Sequence, residues 1–474
     1  MLRRTKIVCT IGPASESEEM MTKLAEAGMN VVRLNFSHGS HEEHLKKIKT
    51  CKQINAKTGR HIGIMLDTKG PEMRVGEMEN NKVEFVKGDK VKVVRENVVG
   101  NKERFHINCD ELYDDVQKGT KVLINDGKLT LTVIDKDDEG FMCEVFNSGP
   151  ISTKKGVNVP NVKLSMPFVS EKDDSDIRFG CQNGIDFVAA SFVRRADDVL
   201  AIKKILEEEG HPEIEIIAKI ENQEGYDNLE DILKVADGVM VARGDLGVEV
   251  SLQYVPIYQK RIINVANKMG KPVITATHML ESMVSNPRPT RAEASDVANA
   301  IFDGTDCIML SAESASGEYP VEAVRTMATI AEECEKNYNY KRYLDKAIDD
   351  TTRSMSDAIG ISVAESCLTM QNVSAIMAFT ETGGTPKRLM KYKPCAPIIA
   401  ATNSLSTCRK LAIYSNVTPV YAPNIVDSDL YDITASQVAR QMNLPVGSTY
   451  IITAGWHAGH GNTNTMRFAE VTEE

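Results

Sequence analysis

The chain has 474 residues, of which 42% are hydrophobic and 26% charged, and its formal net charge is -11. This length predicts two or three domains with large cores. The acidic balance argues against binding to nucleic acid or to a membrane surface, because both need a broad basic face.

The cysteine pattern and the apolar runs narrow the class further. The ten cysteines form no CxxC pair and no zinc-ligand spacing, which favours reduced thiols and a cytoplasmic location. The apolar run near the N-terminus is too short for a signal peptide, and no run approaches the length of a transmembrane helix.

Residues 1–69 predict alternating strands and helices, as in the first part of a barrel domain. Strands are predicted at residues 5–12, 31–37 and 62–68. Their apolar runs suit strands buried on both faces, and polar side chains come at their carboxyl ends. These polar side chains are Arg33, Asn35, Ser37, His38, Asp67 and Thr68.

The pattern changes between residues 70 and 166. Short alternating runs separated by Gly and Asn turns, such as KVEFVKGDKVKVV, are typical of an all-β domain. Both ends of the segment are turn-forming, at Gly70-Pro71 and Met166-Pro167. We therefore predict an inserted small β-barrel domain that acts as a lid on two hinges.

The alternation of strands and helices returns in residues 167–345. Strands are predicted near residues 187–193, 214–221, 239–249, 272–277 and 307–313. With the first part they give about eight strand–helix units, which predicts an α/β fold of the (β/α)8 TIM type with active groups at the carboxyl ends of the strands. Residues 346–474 predict a separate C-terminal α/β domain with a parallel sheet and a regulatory role.

The stretch from residue 214 to residue 249 carries the strongest chemical signal. Its two predicted strands bring Lys219, Glu221 and Asp245 to the same rim of the sheet. One cation between two carboxylates suits a magnesium-held phosphoryl group in transfer, because carboxylates bind the metal and the lysine meets charge on the phosphoryl oxygens. The alternative is an ordinary salt bridge at the rim.

Seven motifs in chain order resemble the pyruvate kinase family. They are TKIVCTIGP, VVRLNFSHG, LDTKGPE-x-R, IIAKIENQEG, VMVARGDLGVE, ITATHMLESM and NPRPTRAEASDVANAI. The resemblance covers essentially the whole chain. It implies phosphoryl transfer from phosphoenolpyruvate to ADP, which gives pyruvate and ATP.

The resemblance implies roles for individual side chains at the substrate. Glu221 and Asp245 would bind Mg2+ or Mn2+, and Lys219 would be the cation on the phosphoryl group. The catalytic residues implied are Lys219, Thr277 and Arg33. The substrate-binding residues implied are Arg33, Lys219, Gly244, Asp245 and Thr277.

A K+ site and a nucleotide site are implied in the same way. The K+ ligands would be Asn35, Ser37, Asp67 and Thr68, and the nucleotide-binding residues would be Asn35, His38, Arg74 and Lys155. Glu72 stands where potassium-requiring members have glutamate, although it can equally be a solvated hinge residue. For Lys154-Lys155 the alternative is a solvated surface pair.

The resemblance leaves open which residues serve the protonation of the enolate. Thr277 resembles the family residue beside the methylene group of the substrate, with Ser311 and Glu313 near the water that would supply the proton. A threonine at a strand end can also be a plain hydrogen bonder. His278 and Ala312 replace a glutamine and a glycine that are common in the family, which leaves the proton path open.

The C-terminal segment carries a loop that resembles the family's effector site. The loop TETGGTP is predicted to cradle a phosphate at a helix start, with Thr385 as the N-cap and Pro386 in the first turn. The effector residues implied are Thr380, Thr382, Gly383, Gly384, Thr385 and Trp456. The prediction is a homotetramer activated by fructose 1,6-bisphosphate first and a sugar monophosphate second, and the alternative is an ordinary capped helix.

Two other functions compete with this prediction. Another phosphoenolpyruvate-using barrel enzyme, such as a mutase or a dikinase fragment, would need a phosphohistidine domain that the sequence does not suggest. A catalytically silent metabolite sensor would keep the C-terminal domain and lose the rim charges, yet Lys219, Glu221 and Asp245 are all present.

Overall fold

A computed structural model describes residues 2–350, 353–425, 430–455 and 463–473. The first part of the barrel consists of β1 (Lys6–Thr10), α1 (Glu18–Ala27), β2 (Val31–Asn35), α2 (His41–Thr58) and β3 (Gly63–Asp67). Helix α2 begins with a capping box between Ser40 and Glu43 and ends at Gly59, which has a left-handed conformation. These start and stop signals set the length of the helix, so that the chain returns to the next parallel strand.

The inserted segment folds into an all-β unit, as predicted. It contains β4 (Met73–Arg74), β5 (Lys82–Phe85), β6 (Lys90–Val94), β7 (Arg104–His106), α3 (Leu112–Asp115), β8 (Lys121–Ile124), β9 (Leu129–Asp137), β10 (Gly140–Val145), β11 (Gly149–Ser152) and β12 (Gly156–Asn158). Seven of the strands form one sheet in the order β4-β12-β8-β9-β10-β6-β7, and β5 pairs with β11. A bridge between Val75 and Ile107 joins the two edges of the larger sheet, so the sheet curls into a small barrel.

The second part of the large barrel follows the insertion. It contains α4 (Glu171–Gln182), β13 (Phe187–Ala190), α5 (Ala196–Glu208), β14 (Glu215–Ile220), α6 (Gln223–Asp227), α7 (Leu229–Val235), β15 (Gly238–Ala242), α8 (Arg243–Glu249), α9 (Val255–Lys268), β16 (Val273–Ala276), α10 (Arg291–Asp303), β17 (Cys307–Leu310), α11 (Ala312–Ala315), α12 (Pro320–Lys336) and α13 (Tyr340–Asp349). Short 3-10 turns lie at Leu252–Tyr254 and Glu281–Val284.

Eight parallel strands close the barrel in the order β1-β17-β16-β15-β14-β13-β3-β2. Every residue of β14 is buried, as the continuous apolar runs predict for strands covered on both faces. The carboxyl ends of the strands therefore meet at one rim, where the predicted site residues lie.

The C-terminal unit is a mixed sheet with helices. It contains α14 (Met355–Thr369), β18 (Val373–Phe379), α15 (Gly384–Lys391), β19 (Ile398–Thr402), α16 (Leu405–Lys410), β20 (Val417–Tyr421), α17 (Tyr431–Gln441), β21 (Thr449–Ala454) and β22 (Thr465–Glu470). The order is β20-β19-β18-β21-β22, and the first four strands are parallel. The predicted parallel sheet thus gains an antiparallel edge strand, β22, which pairs with β21.

The C-terminal unit packs against the amino-terminal end of the barrel. One hydrophobic cluster contains Val8 and Ile217 of the barrel together with Ile376 and Leu411 of the C-terminal unit. None of the helices in the described ranges is both long and apolar enough to cross a membrane. The domain boundaries predicted after residues 69, 166 and 345 stay a prediction.

Candidate active site

Lys219 lies in a buried charge cluster at the carboxyl rim of the barrel. Its Nζ is 3.0 Å from Oδ1 of Asp67, 2.7 Å from Oγ of Ser191 and 3.0 Å from Oε1 of Glu221. Burial lowers the pKa of Lys219, but the charges of Asp67 and Glu221 outweigh burial and raise that pKa above its usual range. The side chain is therefore a cation at every physiological pH.

Asp67 joins Lys219 to Arg33. The Nε of Arg33 is 2.6 Å from Oδ2 of Asp67, and its Nη1 donates to the hydroxyl of Thr10 at 2.9 Å. Burial raises the pKa of Asp67, but Arg33 and Lys219 together hold that pKa below its ordinary value. Two cations and an ionised carboxylate thus face the space above the strand ends.

Glu221 and Asp245 lie at this rim, although on different kinds of element. Glu221 follows β14 directly, and burial raises the pKa of its carboxyl to about 7. Its Oε2 accepts from the Phe192 N–H at 2.6 Å, and its buried Oε1 lies 3.0 Å from Nζ of Lys219. Asp245 is exposed on the first turn of α8: the strand predicted at residues 239–249 ends at Ala242, and a helix follows.

The four predicted K+ ligands come from β2, β3 and the residues that follow them. Register pairs Asn35 directly with Asp67. Oδ1 of Asn35 accepts from the Ser37 N–H at 3.1 Å, and the Thr68 carbonyl accepts from Ser191 Oγ at 2.7 Å. Oxygen atoms from all four residues thus lie on two adjacent strand ends, next to the charge cluster.

Thr277 immediately follows β16 and contacts the start of α8. Its Oγ1 accepts from the Gly244 N–H at 2.8 Å and donates to the Ala276 carbonyl at 2.7 Å. Thr277 and His278 both have positive φ angles, 65° and 53°. A left-handed β-branched residue costs about 1–3 kcal/mol and is found where surrounding contacts impose it.

Glu313 fastens the neighbouring backbone. Its two carboxylate oxygens accept from the N–H groups of Leu280 at 3.1 Å and Ser311 at 2.7 Å. Burial raises the pKa of the Glu313 carboxyl, and the buried hydroxyl of Ser311 has no hydrogen-bond partner among the described residues.

A cleft of about 410 Å³ lies between the lid and the rim, with Glu72 and Asn158 on the lid side and Asp245 and Glu249 on the barrel side. Asn158 donates to Glu249 across the cleft at 2.8 Å. This volume is in the range of small-molecule binding sites.

The predicted nucleotide ligands lie on the lid and on the loop after β2. Arg74 on β4 pairs with Gly156, so Lys155 is its neighbour across the strands. Arg74 also forms an ion pair with Glu72 at 2.8 Å. Lys155 and His38 are both exposed, which leaves their side chains accessible to a ligand.

The sequence interpretation missed several residues of the site. Ser191 bridges Lys219 and the Thr68 carbonyl. Arg194 donates to the carbonyl groups of Leu164 and Met166 at the second hinge, at 2.8 and 3.3 Å. The available signal was their place near the carboxyl end of the strand predicted at residues 187–193, which Arg194 follows directly.

The predicted effector loop lies at the amino-terminal end of α15. Thr380 Oγ1 accepts from the Gly383 N–H at 2.9 Å. Thr385 is not the N-cap as predicted: Gly383 takes that position with a φ of 92°, and the Thr385 hydroxyl bonds that of Thr463 at 2.9 Å. Gly384 starts the helix, Thr382 is exposed, and Trp456 lies outside the described residues.

Two family models match the chain along nearly all of its length. One, described as the pyruvate kinase barrel domain, matches residues 2–324, and the other, described as the pyruvate kinase alpha/beta domain, matches residues 357–469. The chain belongs to the pyruvate kinase family. It is an enzyme whose reaction is phosphoryl transfer from phosphoenolpyruvate to ADP, giving pyruvate and ATP.

Curated pyruvate kinases are similar over the full chain. The one from Geobacillus stearothermophilus is 49% identical over 477 residues, which cover 100% of this chain and 81% of the relative. The one from Bacillus licheniformis is 49% identical over 471 residues, 98% of this chain and 80% of the relative. The one from Staphylococcus epidermidis is 50% identical over 480 residues, again 100% and 81%.

Pyruvate kinases generally need Mg2+ and K+, and the donor set at the rim fits a divalent ion. Within the described ranges, no group of three or more His, Cys, Asp or Glu side chains could hold a metal by itself. Mg2+ in phosphoryl-transfer sites typically takes one or two carboxylates and completes its shell with substrate oxygens and water. Glu221, directly after β14, and Asp245, on the first turn of α8, are such a pair.

Proposed function

We propose that the buried cluster around Lys219 is the machinery of phosphoryl transfer in this pyruvate kinase. The observation that carries the proposal is the position of Nζ, within 3.0 Å of Asp67 and Glu221 at the strand ends. A lysine held there can meet the charge that develops on the phosphoryl oxygens. Arg33, fixed by Asp67, would bind the same group from the other side.

Glu221 and Asp245 would hold Mg2+ or Mn2+, which would polarise substrate oxygens and neutralise their charge. Gly244 and Asp245 belong to the same turn, so the substrate carboxylate would lie against the start of α8. Burial and, to a smaller extent, the charge of Asp245 raise the pKa of Glu221, so the two carboxylates are close enough for one divalent cation to relieve their repulsion.

Asn35, Ser37, Asp67 and the Thr68 carbonyl would hold K+. Their oxygens lie on adjacent strand ends beside Arg33, where a second cation helps to screen the repulsion between two polyanionic substrates. ADP would bind between this rim and the lid, with Asn35, His38, Arg74 and Lys155 at its phosphates.

Thr277 would orient the water that protonates the enolate. Its hydroxyl is held between Gly244 and Ala276, and a threonine hydroxyl has too high a pKa to be the acid itself. Ser311, with its free hydroxyl, would help to position that water. The replacement of the usual glutamine by His278 leaves this arrangement of Thr277 intact.

Regulation and assembly complete the proposal. The chain would form a cytoplasmic homotetramer, and a sugar phosphate, fructose 1,6-bisphosphate first, would bind at Thr380, Thr382, Gly383, Gly384 and Thr385. The N–H groups at the start of α15 support this site, because the amino-terminal end of a helix favours anions.

A coupled assay of pyruvate formation tests the activity. Phosphoenolpyruvate and ADP should give pyruvate and ATP in equal amounts, and a chelator of divalent ions should stop both products together. Pyruvate formation without ATP would indicate hydrolysis, and no product at all would favour a silent sensor.

A further inference from the structure

Neighbouring groups must hold the segment around Thr277 in its conformation. Thr277 and His278 are consecutive residues with φ angles of 65° and 53°, in a region that β-branched side chains rarely adopt. Such a conformation persists only where the surroundings over-determine it.

One guanidinium group contacts the backbone along this whole segment. Arg243 donates from Nε to the Ala276 carbonyl at 3.2 Å and from Nη2 to the Thr277 carbonyl at 2.7 Å. Nη2 also lies 3.4 Å from the His278 carbonyl. Three consecutive carbonyl groups thus face one planar set of donors, an arrangement that a lysine ammonium cannot reproduce.

Asp296 on α10 fixes the guanidinium group in turn. Its Oδ1 accepts from Nη1 of Arg243 at 2.8 Å, and its Oδ2 is 2.8 Å from Nη2. Gln259 on α9 accepts from Nη1 at 3.3 Å. The side chain of Arg243 is 11% exposed and that of Asp296 is 36% exposed, so the guanidinium group is shielded from water although the carboxylate is not, and the two-point contact restricts its geometry.

The same turn of α8 holds Thr277 from the side of its hydroxyl. Gly244, which follows Arg243, donates its N–H to Thr277 Oγ1 at 2.8 Å. Asp245 is the next residue along. The N–H of Gly244 thus holds the hydroxyl of Thr277, and the guanidinium group of Arg243 holds its carbonyl. Both come from the first turn of α8, next to the proposed metal ligand Asp245.

We propose that Arg243 is a positioning residue for the protonation step, with Asp296 as its anchor. The inference rests on the proposed role of Thr277. After phosphoryl transfer the enolate takes one proton from water at its methylene carbon through the C=C electron pair, and the oxygen electron pair forms the carbonyl of pyruvate. Arg243 touches neither atom; it holds Thr277 where its hydroxyl can orient that water.

Arg243→Lys and Asp296→Asn test the inference in the full-length enzyme. The direct readout is exchange of the pyruvate methyl hydrogens with deuterated water in the presence of ATP and Mg2+, followed by NMR. We expect this exchange to fall about tenfold to a hundredfold in both variants, because a displacement near 1 Å has that effect. The KM for phosphoenolpyruvate should stay within about threefold, and the solvent isotope effect on kcat should rise.

Arg178→Lys is the matched control. Arg178 on α4 also forms ion pairs with carboxylates, at 2.9 Å from Asp174 and 2.7 Å from Glu208, but it lies on the outer helices of the barrel. This variant should keep the exchange rate and kcat of the wild type. Melting temperatures of all variants show whether folding is affected.

The outcomes separate this inference from the proposed role of Thr277. Wild-type exchange in both Arg243→Lys and Asp296→Asn would overturn the inference. The inference would also be overturned if the exchange rate and the phosphoenolpyruvate affinity fell by the same factor and the melting temperature fell with them. Normal exchange in Thr277→Val would instead remove the role of Thr277 itself.

Discussion

Lys219 balances two buried carboxylates before any substrate binds, so its charge has both a catalytic and a structural role. We predict that Lys219→Ala lowers kcat by about a thousandfold or more, because a preorganised charge at the developing oxyanion is lost. Phosphoenolpyruvate affinity should stay within about tenfold. Unfolding free energy should also fall, by about 3 kcal/mol, since Glu221 loses its cation.

A second buried lysine provides the control for this prediction. Lys6 lies at the opposite end of the barrel, donates to the Val417 carbonyl at 2.6 Å, and has a pKa that burial lowers to about 8. Lys6→Ala should reduce stability in denaturant titrations while kcat stays near that of the wild type. Near-normal turnover in Lys219→Ala would contradict the role assigned to Lys219.

The raised pKa of Glu221 makes metal binding depend on pH. Burial moves this pKa to about 7, so below pH 7 a metal ion must displace a proton. We predict that apparent Mg2+ affinity falls by up to about tenfold per pH unit below pH 7 and levels off above it. The stability of the fold changes with pH in the opposite direction. The folded state binds this proton more tightly than the unfolded state, so ionisation of Glu221 lowers the free energy of unfolding as pH rises from the usual pKa of a glutamate towards 7.

Magnesium titrations of activity at several pH values between 6 and 8 check this dependence. Glu221→Gln, which cannot ionise, should bind Mg2+ weakly with no step near pH 7. Asp245→Asn should also weaken Mg2+ but keep the step. If Glu221→Gln retained the wild-type titration curve, Glu221 would not be a ligand.

Single residues differ in how far the sequence predicts their surroundings. Lys219 and Glu221 lie at one rim because parallel strands bring their carboxyl ends together, whereas Asp245, predicted at the end of the next strand, lies on the first turn of α8. Arg194 and Arg243 escaped prediction for a physical reason: several of their partners are backbone carbonyl groups, whose directions depend on local φ and ψ angles rather than on residue type.

At the level of secondary-structure elements, apolar runs predicted the barrel strands better than the loops after them. The run at β15 is followed by RGDLGVE, whose glycine and apolar residues are interspersed with charged ones, and the strand was predicted to continue to Glu249, although it ends at Ala242. A local signal also gave a wrong prediction at Thr385, which follows a glycine pair and precedes a proline and was therefore predicted as the N-cap. Its hydroxyl instead bonds Thr463, a contact between distant segments that no local pattern contains.

The hinge between β3 and β4 carries a prediction about K+. Glu72, at the position where the resemblance has glutamate in potassium-requiring members, forms ion pairs with Arg74 at 2.8 Å and with Lys69 at 3.5 Å. We predict that activity requires K+ and that Glu72→Lys reduces this requirement by supplying a positive charge. The measurement is activity against K+ concentration, with Na+ and K+ absent from the starting buffer.

Glu72→Gln is the control, because it removes the negative charge without adding a positive one. It should leave the K+ requirement in place. Equal wild-type activity with and without K+ would contradict the requirement, and an unchanged requirement in Glu72→Lys would contradict its explanation.

In the whole molecule, the C-terminal unit and the catalytic strand are joined by one ionic contact. Lys387 on α15 forms an ion pair with Glu215, the first residue of β14, and the Tyr414 hydroxyl donates to the same carboxylate at 3.0 Å. Lys219 lies on that strand. A ligand that shifts the start of α15 would therefore also act, along the path of this ion pair, on the strand that carries Lys219.

This path underlies the prediction about regulation. With fructose 1,6-bisphosphate present, the phosphoenolpyruvate concentration at half saturation should fall, because a ligand that binds one conformation of α15 better shifts the enzyme towards it. A sugar monophosphate should act more weakly. Thr382 is exposed, so Thr382→Glu should abolish activation by repelling the phosphate without disturbing the bonds of Thr380 and Thr385.

Saturation curves with and without each sugar phosphate, together with sedimentation of the enzyme to establish a tetramer, check this prediction. Gln371→Glu adds the same charge at an exposed position between α14 and β18 and should respond to the ligand like the wild type. Loss of activation in both variants would point to a general effect of charge. If the wild type gave identical curves with and without either ligand, the loop before α15 would not be an effector site. It would then be a helix start that Gly383 and Thr380 stabilise.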